Sequence, residues 1–320
     1  MKSLFAADIQ DNQFVDSLFL VATKTHGVTK TGNSYLTLKL LDKSGEIEAR
    51  VWERADDLGR SFAKNDFVSV RGQATLYQGK MQLRVQDLMR VDDSKVAPDD
   101  FLPKSVFDPV TMLQDLQAIL RGMKDPHLLA LAEAFFADDE LMRLLGQAPG
   151  AKTIHHPYLS GLLEHTLSLM KLIIKVAENY RGINVDLLLM GGFLHDIGKV
   201  YEFTFDRAVD YTDAGQLLGH LVMEVEMVTK KIEAIPEFPA ELALLLKHLL
   251  VSHHGAYEFG SPKLPQTVEA VILHSLDDLD GKIQAIQNMP EKEPGAKWTA
   301  FHRAYGRSFY RGSGERTELK

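Results

Sequence analysis

In the second half of this 320-residue chain, residues that bind cations interrupt one apolar helix after another. In GGFLHDIGK, residues 191–199, His195 and Asp196 follow an apolar run containing Leu187, Leu188, Leu189 and Phe193. His165 lies within GLLEHTLSL and His220 within LLGHLVMEV, His253 and His254 close LLLKHLLVSHHG, and Asp277 follows AVILHSL. Taking a carboxylate out of water costs several kcal/mol or shifts its pKa. A lone histidine on an apolar face is ordinarily a hydrogen-bonded core residue. Interruptions on five helical segments are harder to satisfy one by one, and a shared cation would satisfy them together.

The donor types narrow that cation. Imidazole nitrogens and carboxylate oxygens without sulfur suit manganese, iron, cobalt or zinc. The chain has no cysteine, which removes thiolate ligands, disulfides and cysteine nucleophiles. His165, His195, Asp196 and Asp277 suffice for one ion. His220, His253 and His254 add donors for a second, with Asp196 placed to bridge.

The first ninety residues follow a different period. In SYLTLKL, Leu36, Leu38 and Leu40 alternate with Tyr35, Thr37 and Lys39, and in EIEARVW, Ile47, Ala49 and Val51 alternate with polar neighbours. DFVSVRGQATLY and MQLRVQDLMRV flank a QGK turn. About five short strands in so short a span fit a small closed barrel. Opposite the apolar stripes stand Tyr35, Lys39, Arg50 and Trp52. Rings interleaved with cations suit base stacking and phosphate tracking, although Trp52 covering a barrel end also accounts for its place.

Residues 92–109 are rich in proline and aspartate and read as a linker. Helical periodicity then runs from 110 to about 290. Residues 291–320 mix Trp298, Phe301, Tyr305, Phe309 and Tyr310 with arginines, a composition that fits a basic arm for nucleic acid or a packed extension. The net charge of −8 is uneven: +2 over residues 1–90, −14 over 91–291 and +4 over 292–320. A polyanion would meet the two ends first. No apolar run is long enough to span a bilayer and the start lacks a signal-peptide core, so a cytoplasmic location without membrane contact is expected. Oligomeric state is not written in these patterns.

The order His…His-Asp…His…His…Asp resembles the HD phosphohydrolase superfamily. HHPYLSGLLEHTLSL, FLHDIGK, VSHHG and HSLDDLDGK, preceded by LTLKLLDKSGEIEARVWE, are similar to the YhaM-type 3′→5′ exoribonucleases over nearly the whole chain. The resemblance implies a five-stranded OB-fold barrel at 1–91 followed by an all-α HD-type domain at 110–290. It implies hydrolysis of single-stranded RNA, and of DNA in some cases, from the 3′ end to nucleoside monophosphates. The cofactor it implies is a divalent metal, expected as two ions, manganese ahead of iron, cobalt, zinc or magnesium.

Carried over residue by residue, the pattern makes His165, His195, Asp196 and Asp277 metal ligands and adds His220 and His253 for a second ion. His254 is a ligand or faces substrate. Asp196 and Lys199 carry the catalysis, Lys199 reaching phosphate from the helical face it shares with His195; the plain alternative is a solvated lysine after a helix end. His155 and His156 match the family's HHAY segment, with Pro157 replacing alanine, and line the scissile phosphate or fix the loop. Asp280 orients a ligand or caps a helix. Two rival functions remain on the sequence: an HD-type nucleotidase or cyclic-nucleotide phosphohydrolase, disfavoured by the barrel, the basic tail and the lack of a GYP extension, and a non-catalytic single-strand binder, disfavoured by the intact ligand set.

Overall fold

The computed structural model describes residues 2–97, 100–152, 156, 158–289, 296–303 and 305–312. They form two compact units. In the first, strands β1 (Phe14–Val28), β2 (Ser34–Asp42), β3 (Gly45–Val51), β4 (Phe67–Tyr77) and β5 (Lys80–Arg90) close a barrel in the order β1-β2-β3-β5-β4. β3 and β5 pair in parallel, Glu48–Val51 against Gln82–Val85, and every other junction is antiparallel. This is the small closed barrel expected from the alternating leucines, and it is of the OB type that the resemblance implies.

The longest strand explains the closure. β1 pairs with β4 along Phe14–Leu20 and with β2 along Leu20–Val28, and a register shift between Val21 and Thr23 bends it from one partner to the other. Val15, Phe19 and Val21 point inward with Leu36, Leu38, Leu40, Val51, Val70 and Leu83. Helix α1 (Ala55–Arg60) contributes Ala55 and Leu58 to the same core. Each such large side chain contributes about 1.5–3 kcal/mol through burial.

The segment expected as a linker does not stay outside this unit. Val96 and Phe101 pack with Leu20 and Phe67 on the other face of the sheet, and the Phe67 and Phe101 rings meet edge-on at 4.8 Å. The apolar side chains among its prolines and aspartates have a surface to cover, so the segment is held. A cut at residues 91 and 110 also misses two later pieces: Tyr158–Ser160 and Tyr201–Gln216 group with the barrel. The second contains the short pair β6 (Phe203–Thr204) and β7 (Asp210–Tyr211). Its Asp210 takes an ion pair from Lys64 at 2.6 Å, and Arg207 pairs with Asp93 and reaches the Asn65 carbonyl at 3.2 Å.

The second unit is helical. α2 (Pro109–Arg121) and α3 (Pro126–Phe136) both begin at an Asp-Pro pair, where the Asp108 and Asp125 carboxylates accept from backbone N–H groups of the first turn and proline occupies a position needing no donor. Residues 127–145 read as one helical run, but Asp138 starts a new helix, α4 (Asp139–Leu145). α5 (Gly161–Ala177), α6 (Val185–Leu194), α10 (Ala240–Ser252) and α11 (Val268–Asn288) pack on one another. α6 is apolar on every side and buried from Leu187 to Leu194, as a central helix must be. α7 (Lys199–Glu202) follows it, and Gly219, at φ +74°, separates α8 (Asp213–Leu217) from α9 (His220–Glu233). No helix of the structure is long and apolar enough to cross a membrane.

Phe101→Ala is expected to lower unfolding free energy by about 3–5 kcal/mol, the cost of emptying a buried aromatic site. A change in urea denaturation within about 0.5 kcal/mol, as for a surface substitution, would place residue 101 in a free linker.

Candidate metal centre

The histidines and aspartates that interrupt the apolar helices converge. α6 ends at Leu194, and His195 caps it in helical geometry, so His195 and Asp196 sit on the turn leaving the most buried helix. α5 supplies His165, the first residue of α9 supplies His220, the end of α10 is capped by His253 with His254 next, and α11 supplies Asp277. His165 Nε2 lies 3.2 Å from His195 Nε2 and 3.1 Å from Asp277 Oδ1. His220 Nε2 lies 3.2 Å from His254 Nε2. Donor atoms of His165, His195 and Asp277 form one tight cluster, and those of His220, His253 and His254 form another.

Asp196 stands between them. Its Oδ2 is 3.3 Å from His195 Nε2 and 3.9 Å from His165 Nε2, while its Oδ1 is 3.6 Å from His220 Nε2 and 3.8 Å from His253 Nε2. One carboxylate thus presents one oxygen to each cluster.

The hydrogen bonds behind the rings aim them. His195 Nδ1 donates to the Gly192 carbonyl at 2.9 Å, His253 Nδ1 to Leu250 at 2.8 Å and His254 Nδ1 to Phe259 at 2.9 Å. A carbonyl only accepts, so these three rings carry the proton on Nδ1 and in the neutral form turn an Nε2 lone pair inward. His165 does the same against a carboxylate: its Nδ1 is 2.7 Å from Asp280 Oδ2, and Ser168 Oγ donates to Asp280 Oδ1 at 2.6 Å. Asp280 therefore orients the His165 ring and, lying inside α11, does not cap that helix. Partners of this kind fix tautomer and ring angle in metal sites.

Lone pairs crowded this closely repel unless a cation or a proton stands among them. Among the described residues, the buried Asp196 Oδ1 accepts no hydrogen bond, although it faces two imidazoles. The donor set and that unsatisfied oxygen fit divalent cations. Without a cation the carboxylates hold protons on nearby rings. Burial pulls the His195 pKa down, but Asp196 and Asp277 more than offset this and push it up to about 10. The His165 pKa is also raised, burial being outweighed by Asp277 and Asp280. Burial, together with the charge of His195, holds His253 well below its usual value. Asp196 is held well below the carboxylate range: burial opposes ionisation, but Lys199 and His195 outweigh it.

Lys199 is buried, not solvated, and its Nζ is 2.7 Å from Asp196 Oδ2. It arrives through a tight turn rather than along a shared helix face: its N–H donates to the Asp196 carbonyl at 2.9 Å and α7 begins there. Gly198 makes that turn possible, because a Cβ at this position would lie 2.4 Å from the His220 carbonyl oxygen. The glycine lets the turn bearing His195 and Asp196 press against the start of α9. His156 is buried beside the His165–Asp280 pair, its ring 5.3 Å from that of His165; His155 lies outside the described residues.

Glu224, fully buried on α9 one turn after His220, has Oε1 3.9 Å from His253 Nδ1 and was not singled out from the sequence. A signal for it exists: Glu224 shares its helical stripe with Val228 and Ile232. Ser168 and His274, whose Nδ1 donates to the His253 carbonyl at 2.8 Å, carry no comparable mark.

On the barrel, Tyr35 and Trp52 stack with ring centroids 5.0 Å apart and planes 29° from parallel. Gly27 on β1 makes room for the Tyr35 ring, which a Cβ would meet at 2.4 Å. Arg50, 5.7 Å from the Tyr35 ring, pairs with Glu48 at 2.7 Å, and Lys39, further along β2, pairs with Glu46 at 3.0 Å.

Comparison with known proteins agrees with both units. The HD domain family matches residues 162–282, and the OB-fold nucleic acid binding domain family matches residues 20–91. The 3′-5′ exoribonuclease YhaM of Bacillus velezensis is 35% identical over 306 residues, covering 93% of this chain and 94% of that protein. The chain belongs to the YhaM family. A second member, the 3′-5′ exoribonuclease YhaM of Bacillus subtilis, is 33% identical over 299 residues, again covering 93% of this chain and 94% of the relative. Among solved structures, the second OB-fold domain of replication protein A from Methanococcus maripaludis is similar over 28% of this chain and 95% of that one, with 18% identity and a TM-score of 0.25. The family's HD domain is metal-dependent, and the clustered imidazoles and carboxylates supply donors for a metal.

A cation taking the His195 Nε2 must displace the proton held there below about pH 10. Manganese affinity is therefore expected to rise with pH across the neutral range, with at least one proton released per chain, read by calorimetry in buffers of different ionisation enthalpy. Asp280→Asn is expected to weaken that affinity about 10–100-fold, the usual cost of losing a ligand's orienting partner; an unchanged isotherm would make Asp280 structural only.

Proposed function

We propose that the chain is a 3′→5′ exonuclease that hydrolyses single-stranded RNA, and single-stranded DNA as a second substrate, to nucleoside monophosphates with two divalent ions, manganese foremost. The observation that carries this reading is Asp196 presenting one oxygen to each of two histidine clusters. His165, His195 and Asp277 would hold one ion and His220, His253 and His254 the other, with Asp196 between them. Divalent ions held there supply Lewis acidity toward a phosphodiester and acidify the attacking water.

The chain's own residues do the rest. Lys199 places a buried positive charge beside Asp196, where it offsets negative charge building on a bound phosphate. His156 lies against the His165 ring and, with His155, would steer the scissile phosphate. Asp277, His220 and His254 are the more open members, and substrate enters on their side. No covalent nucleophile is required, which agrees with a chain lacking cysteine. The Tyr35–Trp52 stack, with Arg50 beside it and Lys39 further along the same strand, offers bases a surface to stack on. A cytoplasmic location accords with an RNA substrate.

End-labelled single-stranded RNA and DNA incubated with the protein and manganese should shorten one nucleotide at a time from the 3′ end, and chelation should stop it. Endonucleolytic fragments, or binding without shortening, would overturn the reading. Asp196→Ala should lower turnover by at least about a thousandfold while retaining helical content, since it removes a donor from both clusters. Tyr35→Ala with Trp52→Ala should weaken long substrates about tenfold, at about 1–3 kcal/mol per stacked base, and leave hydrolysis of a small phosphodiester unchanged.

A further inference from the structure

After α11 the structure describes residues 296–303 and 305–312, and the rest of the 291–320 tail lies outside the described residues. Residues 297–303 and 305–311 pair with each other as the two arms of a hairpin. Trp298 bridges Tyr310, and His302 bridges Arg307, both antiparallel. Backbone bonds run from Thr299 N–H to the Phe309 carbonyl at 2.9 Å and from Arg311 N–H to the Lys297 carbonyl at 2.7 Å. Thr299 is fully buried, and its hydroxyl accepts from the Phe309 N–H at 2.9 Å.

A hairpin this small would normally hide its rings. Here Trp298 is 50% exposed, Phe301 64% and Tyr310 60%. Lys297, Arg303, Arg307 and Arg311 accompany them, and the sequence from 297 to 312 contains no acidic residue. The adjoining helical sequence is strongly acidic, so this basic surface is a local exception. Exposed π-faces interleaved with cations are what a single-stranded polynucleotide binds, because every base has a face to stack and every phosphate a charge to neutralise.

The anchorage fixes where such a strand would lie. Arg311 donates to the Ile286 and Gln287 carbonyls at the end of α11, at 2.6 and 3.0 Å. Tyr305, at the other end of the hairpin, lies within electrostatic reach of Asp278 and Lys282 on the same helix. Asp277 is nine residues before Ile286, about 14 Å along α11 at 1.5 Å per residue. The hairpin therefore runs beside the stretch of α11 that leads to the metal cluster.

We propose that the 297–311 hairpin is a second binding platform for single-stranded nucleic acid, holding the nucleotides next to the 3′ terminus while that terminus occupies the metal centre. This rests on the exonuclease reading for the terminus, but the binding itself does not need catalysis.

The test is equilibrium binding of a fluorescein-labelled single-stranded oligonucleotide to the full chain in EDTA, which silences hydrolysis, read by anisotropy over a salt series. Arg303→Ala with Arg307→Ala should weaken binding and flatten the log–log salt slope by about 1.4, at about 0.7 for each phosphate no longer neutralised. Trp298→Ala should weaken binding about tenfold. Both variants should retain wild-type hydrolysis of bis(p-nitrophenyl) phosphate in manganese. Unchanged affinity and slope would overturn the proposal, as would an equal loss on the small ester or a change in molecular mass by light scattering, which would make the hairpin a support for α11 or an interface between copies. Failure of the exonuclease reading has its own signature, an oligonucleotide bound through the hairpin but never shortened.

Discussion

The helical unit is organised around the cost of burying charge. Asp196 and its neighbours Asp277 and Asp280 sit with Lys199 and a ring of imidazoles at the end of α6, the helix most completely withdrawn from water. Like charges gathered in a low-dielectric interior oppose folding unless cations stand among them. The backbone carbonyls of Gly192, Leu250 and Phe259 each accept a hydrogen bond from a ring Nδ1–H and so turn the Nε2 lone pairs toward one another. The arrangement is therefore unfavourable as a plain core and favourable as a metal site. Local stability has been given up for a rigid array of donors whose positions are set by five separate segments.

Much of this was legible in the sequence because it takes the form of contradiction. His165 among leucines, His195-Asp196 after an apolar run and His253-His254 at a helix end each break the pattern that surrounds them. The barrel was legible for the opposite reason, as Leu36, Leu38 and Leu40 obey strand alternation without exception. Where the chain offers neither contradiction nor regularity, its structure is hidden from such reading. Phe101 sits among prolines and aspartates and gives no sign of its packing against Phe67. The 201–216 segment is bordered by helical sequence, yet it is held to the barrel unit by Lys64–Asp210 and Arg207–Asp93, pairs far apart along the chain. Lys199 reaches its place through a turn that depends on Gly198 lacking a Cβ, a requirement set by a neighbour twenty-two residues further on. Glu224 was readable in principle, as a carboxylate within an apolar helical stripe.

Both units treat aromatic and charged groups differently inside and out. Within the helical unit the rings of His165, His195, His253 and His254 are aimed by hydrogen bonds and Asp196 is paired with Lys199. On the barrel face and on the C-terminal hairpin, rings remain open to solvent: Trp52 is 45% exposed while stacked on Tyr35, and Trp298 stays open while packed on Tyr310. An exposed ring held in a fixed orientation has already lost the conformational entropy it would otherwise lose on binding. The chain thus keeps its converging imidazoles and carboxylates in one buried place and its exposed rings on preordered surfaces.

Crystals of the chain grown with manganese, measured at the manganese absorption edge, address the central claim most directly. Two anomalous peaks should flank the Asp196 carboxylate, one among His165, His195 and Asp277 and the other among His220, His253 and His254. A map with no peak there, or with manganese bound only elsewhere, would contradict the account.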